Sequence, residues 1–325
     1  MRQVGVIGVG EYLPKRVLTN ADLEKMVDTS DEWITTRTGI KERRLAAPDE
    51  ATSDLAIKAA QKALEDAKLK PEDLDLIIVA TITPDMQFPS VASMLQNGLS
   101  ASKAVAFDIS AACAGFVYGI TIAQQFISCG TYKNALVIGA EKLSGITDWQ
   151  DRNTCVLFGD GAGACVLSEV KTGGILSTYL SCDGSKMDLL NMPAGGSRNP
   201  ASHETVDRRL HYIKMQGNDL FKIAVRSMTE AAEIVAKKAG LGLEDLDLII
   251  PHQANMRIIM AVAKKIGLPE EKIYLNIAKY GNMSSACTAT ALCEAVKEGR
   301  IKKGDKVLLD AFGAGLVCGA CIIEW

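Results

Sequence analysis

The spacing of hydrophobic and polar residues repeats between the two halves of the chain. Residues 59–78 and residues 231–250 each begin with hydrophobic positions at three-to-four spacing, which predicts an amphipathic helix. Each segment continues through an acidic turn into a hydrophobic run typical of a strand covered on both faces. Aligned from Ala59 and from Ala231, the two segments share eleven of twenty positions, including the block EDLDLII. We therefore expect one structural unit to occur twice.

This repeat predicts the fold class and the division of the chain. A helix that leads into a buried strand, and does so repeatedly, predicts an α/β protein with a mainly parallel sheet. The duplication predicts two similar halves, residues 1–170 and residues 171–325, with the boundary near SEVKTGGI. A fainter similarity, at a slightly longer offset, links SAAC, which ends at Cys113, to SSAC, which ends at Cys287. A chain of 325 residues is long enough for two domains of ordinary size.

The two copies of the repeat differ in the residues that follow the strand. The first continues as VATITPD and the second as PHQANMR, so His252 comes just after the carboxyl end of a strand. Open α/β sheets bind their ligands at these ends. Taken alone, a histidine in this position is more often structural than catalytic.

Two other segments add candidate chemistry. Cys113 lies among small side chains in DISAACAGF and precedes a helix-like stretch, where the positive end of a helix dipole would lower the pKa of a thiol. Asn282 lies in a Gly-Asn turn within KYGNMSSAC. A cysteine nucleophile, a neutral histidine and an amide that donates to an oxyanion form a coherent set for chemistry at a carbonyl group. No acidic residue is obviously placed to act as a base.

Composition and charge exclude several classes of protein. The net charge of −3, with both signs interspersed, argues against a nucleic-acid or membrane-surface protein. No hydrophobic run approaches the roughly 20 residues that span a bilayer, and we expect a cytoplasmic protein. Nine cysteines without a CxxC pair, and only three histidines, argue against a disulfide framework and a structural zinc site.

Five motifs, taken together and in order, resemble those of the β-ketoacyl-acyl-carrier-protein synthase III family. They are SDEWITTRTGIKERR, DISAACAGF, FGDGAGA, PHQAN and GNMSSA, and the similarity extends from Val4 to Trp325. The resemblance implies a thiolase-like fold, a five-layer αβαβα sandwich of two duplicated halves, normally a homodimer. It also implies an acyl-CoA substrate, with acetyl-CoA as the expected primer, malonyl-acyl carrier protein as the second substrate, and no cofactor or metal.

The resemblance assigns a role to each candidate residue. Cys113 corresponds to the acylated nucleophile, and His252 with Asn282 corresponds to the pair that binds the malonyl thioester carbonyl and stabilises the enolate. The backbone N–H groups of Cys113 and Ala314 correspond to the oxyanion hole of the acyl transfer. The implied reaction is ping-pong: an acyl-CoA acylates the cysteine, and the carbanion from decarboxylated malonyl-carrier protein then attacks the acyl thioester.

The resemblance also implies three binding regions. Phe88 corresponds to a residue that reaches across the dimer interface to the partner's acyl pocket, although it could equally pack in the core. The expected carrier-protein docking face consists of Gln253, Arg257, Lys264 and Lys265, although a basic run is usually a solvated surface. The expected CoA-binding residues, in which an indole and a guanidinium could sandwich the adenine, are Trp33, Arg37, Arg152, Gly217, Asn218, Phe221, Ala254 and Asn255. A partly buried helix anchor and an ordinary ion-pair residue are the alternatives for Trp33 and Arg152.

Three positions depart from the family pattern. Met283 follows Asn282 where threonine or serine is usual, Cys287 replaces a small residue, and Cys318 occurs where tryptophan is common. Met283 could alter how Asn282 is held. Cys287 is also a rival nucleophile, because SSAC mirrors SAAC.

Several other activities use the same fold or some of the same residues. Thiolase is disfavoured because Ala311 occupies the place of its second cysteine, and the elongating synthases because Asn282 occupies the place of their second histidine. Synthase III-like enzymes of secondary metabolism keep the Cys-His-Asn set, so the motifs do not exclude them. A non-catalytic module that binds acyl-CoA or carrier protein is a further alternative, although binding alone requires none of the three residues.

Overall fold

The computed structural model describes residues 2–325. In this range the strands are β1 (Val4–Tyr12), β2 (Arg16–Thr19), β3 (Glu42–Leu45), β4 (Leu76–Ala80), β5 (Val105–Ile109), β6 (Asn134–Lys142), β7 (Asp160–Glu169), β8 (Gly174–Ser181), β9 (Leu190–Asn191), β10 (Lys214–Met215), β11 (Leu248–Pro251), β12 (Lys306–Gly313) and β13 (Val317–Glu324). The α-helices are α1 (Asn20–Leu23), α2 (Asp31–Thr38), α3 (Thr52–Ala67), α4 (Val91–Gly98), α5 (Gly115–Ser128), α6 (His203–Asp207), α7 (Gly217–Ala239), α8 (Met256–Ile266), α9 (Ile277–Tyr280) and α10 (Ala286–Lys297).

Each half of the chain forms one large sheet. The first sheet has the strand order β1-β7-β6-β4-β5 and the second has the order β11-β12-β13-β8. Strand β4 is parallel to β5 and β6, and β11 is parallel to β12, whereas β7 and β13 are antiparallel to their neighbours. The expectation of a mainly parallel sheet is therefore wrong: both sheets are mixed. Strands β12 and β13 are joined by only three residues, too few for a parallel crossover.

Three layers of helices enclose these two sheets. Helices α5 and α10 lie between the sheets, where Phe116 and Leu292 share one core with Ile78 of β4 and Leu309 of β12. Helices α3 and α4 pack on the other face of the first sheet, and α7 and α8 on the other face of the second. Successive residues of β4 face opposite cores, as the pleat requires. This arrangement confirms the five-layer αβαβα sandwich.

The structure contains the repeated unit at the predicted spacing. In both halves a long helix is followed by a 3-10 turn, Pro71–Asp73 or Leu243–Asp245, and then by a buried strand. The offset that aligns Ala59 with Ala231 also aligns Ala112 with Ser284. Both residues have a positive φ, +43° at Ala112 and +48° at Ser284, and both come just before one of the two central helices. Left-handed backbone is uncommon for residues other than glycine.

This alignment of the two copies corrects one sequence interpretation. Because Ala112 aligns with Ser284, Cys113 corresponds to Ser285, and the similarity of SAAC to SSAC is not a structural equivalence. Cys287 instead lies in the first turn of α10 and is fully buried. No helix among residues 2–325 has the length and hydrophobicity needed to cross a membrane.

Candidate active site

Cys113 lies in a sharp turn between β5 and α5. The 3-10 turn Ala112–Ala114 carries the thiol, and the left-handed backbone of Ala112 changes the chain direction there. Gly313 packs against this turn, since a Cβ at Gly313 would lie 2.6 Å from the Cys113 backbone nitrogen. The missing side chain lets the turn that begins at Ala314 approach Cys113 closely.

The Cys113 thiol is 9% exposed, and this burial determines its charge. Burial raises the pKa of Cys113 to about 12; the neighbouring Ser284 hydroxyl lowers that pKa and the Glu141 carboxylate raises it. The expectation of a lowered pKa is therefore wrong for the chain without substrate. A helix dipole contributes typically about 0.3–1 kcal/mol at an exposed site, which is less than the cost of burying a thiolate. Cys113 is a neutral thiol near pH 7.

His252 continues the line of β11 and is held by its backbone. Its N–H donates to the carbonyl oxygen of Asp310 on β12 at 2.7 Å. The imidazole is buried, and burial lowers the pKa of His252 to about 3, so the ring is neutral at neutral pH. Its Nδ1 atom is buried without a hydrogen-bond partner among residues 2–325. A neutral imidazole can donate one hydrogen bond without bringing a charge into the site.

Asn282 is fixed at both its backbone and its side chain. Its N–H donates to Leu157 at 2.8 Å, and its carbonyl accepts from the N–H of Gly159 at 2.9 Å. The side-chain Oδ1 accepts from the N–H of Ser284 at 2.8 Å and lies 3.8 Å from the sulfur of Cys287. Because the oxygen is engaged, the amide NH₂ is left to donate to a ligand.

Contacts between the three segments bring these residues together. The Cys287 sulfur lies 3.9 Å from the carbonyl oxygen of Gln253, next to His252, as well as near Asn282. Ser284 follows Asn282 by two residues, and its hydroxyl acts on Cys113. The β5–α5 turn, the β11–α8 turn and the α9–α10 turn therefore adjoin at one site.

Gln253 is not on the expected docking face. Its side chain is fully buried, with Nε2 donating to Pro251 at 2.8 Å and to Tyr274 at 3.2 Å. Its Oε1 accepts from the backbone N–H groups of Asn276 and Ile277, each at 3.1 Å. These bonds satisfy the amide completely, so Gln253 braces the turn after His252 and has no donor or acceptor to offer a carrier protein.

The expected CoA-binding residues form two groups. The guanidinium carbons of Arg37 and Arg152 each lie 4.8 Å from the centre of the Trp33 ring, and Arg152 also pairs with Asp28 at 3.2 Å. Trp33 is partly buried against the hydrophobic core that contains Ile34, which also fits its alternative role as a helix anchor.

The second group lies where α7 meets α8. The Arg257 guanidinium carbon lies 5.5 Å from the centre of the Phe221 ring. Gly217 and Asn218 are exposed at the start of α7, and Ala254 is partly buried. The side chain of Asn255 caps α8 by accepting from the N–H of Arg257 at 2.9 Å, which engages its oxygen in the fold.

The remaining binding candidates are exposed. Arg257, Lys264 and Lys265 lie on the solvent side of α8, and residues 257 and 264 are nearly two full turns apart on one face. Phe88 is 84% exposed in the single chain, which excludes packing in its core.

Two of the three departures from the family pattern are packing residues. Met283 is buried with Leu13 and Tyr280, and a Cβ at Gly161 would lie 2.7 Å from its sulfur. Its side chain therefore packs against β7. Cys318 is buried in the core between the second sheet and α7. Cys287, in contrast, contacts the side chain of Asn282.

Glu141 and Ser284 lie beside the site and were not singled out by sequence reasoning. Glu141 is fully buried at the end of β6, and burial raises its pKa to about 6. The sequence feature that could have identified Glu141 is an acidic residue at the end of an otherwise hydrophobic strand, ALVIGAEK. The Ser284 hydroxyl is buried near the Cys113 thiol, whose pKa it lowers, although it makes no hydrogen bond of ordinary length and angle among residues 2–325. In the same range, no group of three His, Cys, Asp or Glu side chains is arranged to hold a metal ion.

Comparison with known proteins gives one consistent description. The family model for 3-oxoacyl-[acyl-carrier-protein (ACP)] synthase III matches residues 107–184, and the model for its C-terminal part matches residues 236–325. A β-ketoacyl-[acyl-carrier-protein] synthase III of Caldanaerobacter subterraneus is 61% identical over 99% of this chain and 97% of its own length. One of Clostridioides difficile is 57% identical over 99% and 98%.

Solved structures agree with these sequence relatives. The crystal structure of 3-oxoacyl-[acyl-carrier-protein] synthase III from Aquifex aeolicus VF5 aligns with a TM-score of 0.92 and 53% identity, covering 99% of this chain and 100% of that one. The enzyme of Thermus thermophilus aligns with a TM-score of 0.92 and 45% identity, covering 99% of both chains. The similarity therefore extends over the whole chain in sequence and in fold.

Proposed function

Because the chain belongs to the β-ketoacyl-[acyl-carrier-protein] synthase III family, we propose that Cys113, His252 and Asn282 together catalyse its condensing reaction. The protein is an acyltransferase of fatty-acid synthesis that joins an acyl primer to malonyl-acyl carrier protein in the initiating condensation. The observation that carries the assignment of residues is the orientation of Asn282, whose amide oxygen is engaged and whose NH₂ is free to donate.

In the first half-reaction the Cys113 sulfur attacks the thioester carbon of an acyl-CoA. The bond from that carbon to the CoA sulfur breaks, and the proton of the Cys113 thiol leaves overall with the CoA thiol. The backbone N–H groups of Cys113 and Ala314 stabilise the oxyanion that forms, because Gly313 allows this close approach. Acetyl-CoA is the proposed primer.

In the second half-reaction malonyl-carrier protein loses CO₂. The electron pair of the broken bond moves onto the thioester carbonyl oxygen, and His252 and Asn282 donate hydrogen bonds to the enolate. Both donors are neutral, which suits an anion formed in a buried site, and the low pKa of His252 keeps the imidazole uncharged. The enolate carbon then attacks the acyl carbon on Cys113, and the bond from that carbon to the Cys113 sulfur breaks. The 3-ketoacyl product leaves, and the released thiolate takes a proton from water.

The proposed binding regions for CoA and for the carrier protein consist mainly of side chains at the surface. Trp33 and Arg152 hold the adenine of CoA between the indole ring and the guanidinium group. The two groups adjoin in this structure, with the guanidinium carbon 4.8 Å from the ring centre, so Arg152 must move away from the indole to admit the adenine. The other proposed CoA contacts are Arg37, Gly217, Asn218, Phe221, Ala254 and Asn255. Arg257, Lys264 and Lys265 attract the acidic carrier protein. No cofactor takes part in this chemistry.

We further propose that the protein works as a homodimer in the cytoplasm. Phe88 supports the dimer, since a phenylalanine that is 84% exposed in one chain gains burial against a second. In that dimer Phe88 borders the acyl pocket of the partner.

Separate measurements of the two half-reactions test the residue assignment. His252→Ala and Asn282→Ala should still form acyl-enzyme from acetyl-CoA, but should decarboxylate malonyl-carrier protein about 10²–10³-fold more slowly. Cys113→Ser should lose acyl-enzyme formation, and Cys129→Ser, which alters an exposed thiol, should not. A wild-type protein inactive in both half-reactions would contradict the assignment and favour a binding module. Primers other than acetyl-CoA would favour a secondary-metabolism enzyme.

A further inference from the structure

The buried carboxyl group of Glu141 lies where the N-terminal turns of α5 and α10 meet. It accepts hydrogen bonds from the Thr83 hydroxyl at 2.7 Å, the Ile82 N–H at 3.1 Å and the Thr81 hydroxyl at 3.2 Å. The Ser285 hydroxyl shares its one proton between the carboxyl group at 3.1 Å and the carbonyl oxygen of Ala80 at 2.7 Å. These donors come from the loop after β4 and from the start of α10. Glu141 therefore ties the first half of the chain to the turn that carries Asn282 and Ser284.

The internal repeat relates Glu141 to a residue that packs against the nucleophile. When the two copies are aligned as above, Ser285 is the counterpart of Cys113, and Gly313 is the counterpart of Glu141. Each contact joins the two copies: Gly313 of the second copy packs against Cys113 of the first, and Glu141 of the first lies beside Ser285 of the second. The surroundings of Ser285 are therefore a sealed counterpart of the active site, with a carboxyl group in the place of Gly313.

The two copies touch directly. A Cβ at Gly115, two residues after Cys113, would lie 3.5 Å from the Cβ of Ser285. Ser284, next to Ser285, has the hydroxyl that acts on the Cys113 thiol. The turn that carries the nucleophile thus rests on the turn that Glu141 anchors.

The charge of Glu141 also reaches the thiol. The carboxylate raises the pKa of Cys113 and that of Cys287. His252, the other titratable group of the site, is kept neutral by burial. The Lys142 ammonium, which follows Glu141 in sequence, donates instead to the carbonyl oxygens of Ala47 and Glu50. None of these neighbours is a cation that would cancel the effect of the Glu141 carboxylate on the pKa of Cys113.

We propose that Glu141 is a positioning residue for the nucleophile: its buried carboxyl group anchors the turn of residues 284–285 on which the turn that carries Cys113 rests. The inference rests on the proposed role of Cys113. Two neighbouring buried groups that each become anionic titrate as a coupled pair. The reactivity of Cys113 should therefore rise with pH in two stages, with a shoulder where Glu141 ionises, near pH 6.

The test is the rate at which iodoacetamide alkylates Cys113 as a function of pH, followed by peptide mass spectrometry. Glu141→Gln removes the charge and keeps an acceptor. Its profile should lose the shoulder, and at a fixed neutral pH its Cys113 should react faster than in the wild type, because the neighbouring negative charge is gone. Glu141→Asp should restore the wild-type profile. Asp160→Asn, which neutralises another buried acid whose partners are Ser144 and Ala46, should leave the profile unchanged.

Each outcome decides the proposal. An equal or slower alkylation of Cys113 in folded Glu141→Gln would overturn it. If that variant does not fold, the wild-type profile still decides, because a single ionisation without a shoulder would also overturn it. A wild-type Cys113 that is alkylated but takes no acyl group from acetyl-CoA would instead refute the proposed function and leave the coupling with Glu141 intact.

Discussion

At the scale of single residues, the geometry of Asn282 depends on a residue that the family pattern does not require. Cys287 accepts the N–H of Met283 at 3.0 Å and lies 3.8 Å from Oδ1 of Asn282. Together with the N–H of Ser284, it fixes which side of the amide faces the site. The sequence suggested Cys287 as a rival nucleophile, but its full burial and these contacts indicate that it supports Asn282.

Replacement of Cys287 tests this supporting role. Cys287→Ala leaves a small cavity and removes the partner of the Met283 N–H, so we expect a loss of about 1–2 kcal/mol in the free energy of unfolding. Decarboxylation of malonyl-carrier protein should slow about tenfold more than acylation by acetyl-CoA does. Cys287→Ser, which keeps a hydrogen-bonding group, should recover most of the decarboxylation rate. Equal losses in both half-reactions would contradict a specific effect on Asn282.

Residue identity alone could not place Gln253 or Glu141. The sequence put Gln253 on the docking face because it adjoins His252, but its amide bonds to residues 21 to 24 positions later in the chain. Glu141 lies near the carboxyl end of β6 and Cys113 follows the carboxyl end of β5, and the strand order brings these two ends to one edge of the first sheet. Both placements depend on contacts between segments far apart in sequence, which local patterns do not encode.

At the scale of secondary-structure elements, β7 and the segment before it position the Asn282 loop. The N–H of Gly159 donates to Asn282, and a Cβ at Gly163 would lie 2.6 Å from the backbone of Ala289 on α10. The glycines of FGDGAGA therefore let the loop before α10, and α10 itself, pack directly on β7. The sequence identified this motif only by resemblance.

Gly159→Ala should disturb this packing. A Cβ at Gly159 would clash with the carbonyl oxygen of Tyr280 and contact Arg43 at 3.2 Å, so we expect a loss of about 1–3 kcal/mol in stability and a lower melting temperature. Decarboxylation should fall more than acylation. Gly145→Ala is the matched control, because nothing lies within 4 Å of a Cβ there. If both variants melted at the same temperature as the wild type, the packing argument would be wrong.

Helix α8 should contribute to the rate at which carrier protein associates. Lys264→Glu reverses one charge on its exposed face, so kcat/KM for malonyl-carrier protein should fall about tenfold at low salt, and less at high salt. The kinetics of acylation by acetyl-CoA should not change. Lys303→Glu, an exposed charge reversal before β12, serves as the control. An equal effect of the two substitutions would exclude α8 as the docking face.

The sequence predicted the order of helices and strands better than it predicted how the two copies of the repeat align. Hydrophobic periodicity predicted the helix, turn and strand of each repeat, because both faces of β4 and β11 are buried and therefore hydrophobic. The match of SAAC with SSAC did not reflect the register of the two copies, since short stretches of small residues resemble one another by composition. The mixed character of the sheets follows from short connections such as residues 314–316, whose length the sequence pattern left open.

At the scale of the whole molecule, the first sheet has an open edge. Strand β5 lies at the end of the strand order, and Val105 on it is nearly half exposed. Phe88 and Met86 are other exposed hydrophobic side chains of the same half. An edge strand together with exposed hydrophobic groups favours association with a second chain.

Substitution of Phe88 tests the proposed dimer. Wild-type protein should elute with the mass of two chains in size-exclusion chromatography with light scattering. Phe88→Asp should shift the equilibrium towards the monomer and reduce acylation, because Phe88 borders the partner's pocket in the proposed dimer. Met26→Asp, which alters another exposed hydrophobic residue, should leave both unchanged. A monomeric wild type with full activity would refute the proposal.

In the proposed reaction Cys113 carries the acyl group between the two substrates. Intact-protein mass spectrometry after mixing with acetyl-CoA, followed by peptide mapping, tests it most directly. We predict one acetyl adduct, located on Cys113, absent from Cys113→Ser and removed on addition of malonyl-carrier protein. An adduct on Cys287 or on another cysteine, or the absence of any adduct from a panel of acyl-CoAs, would contradict the account.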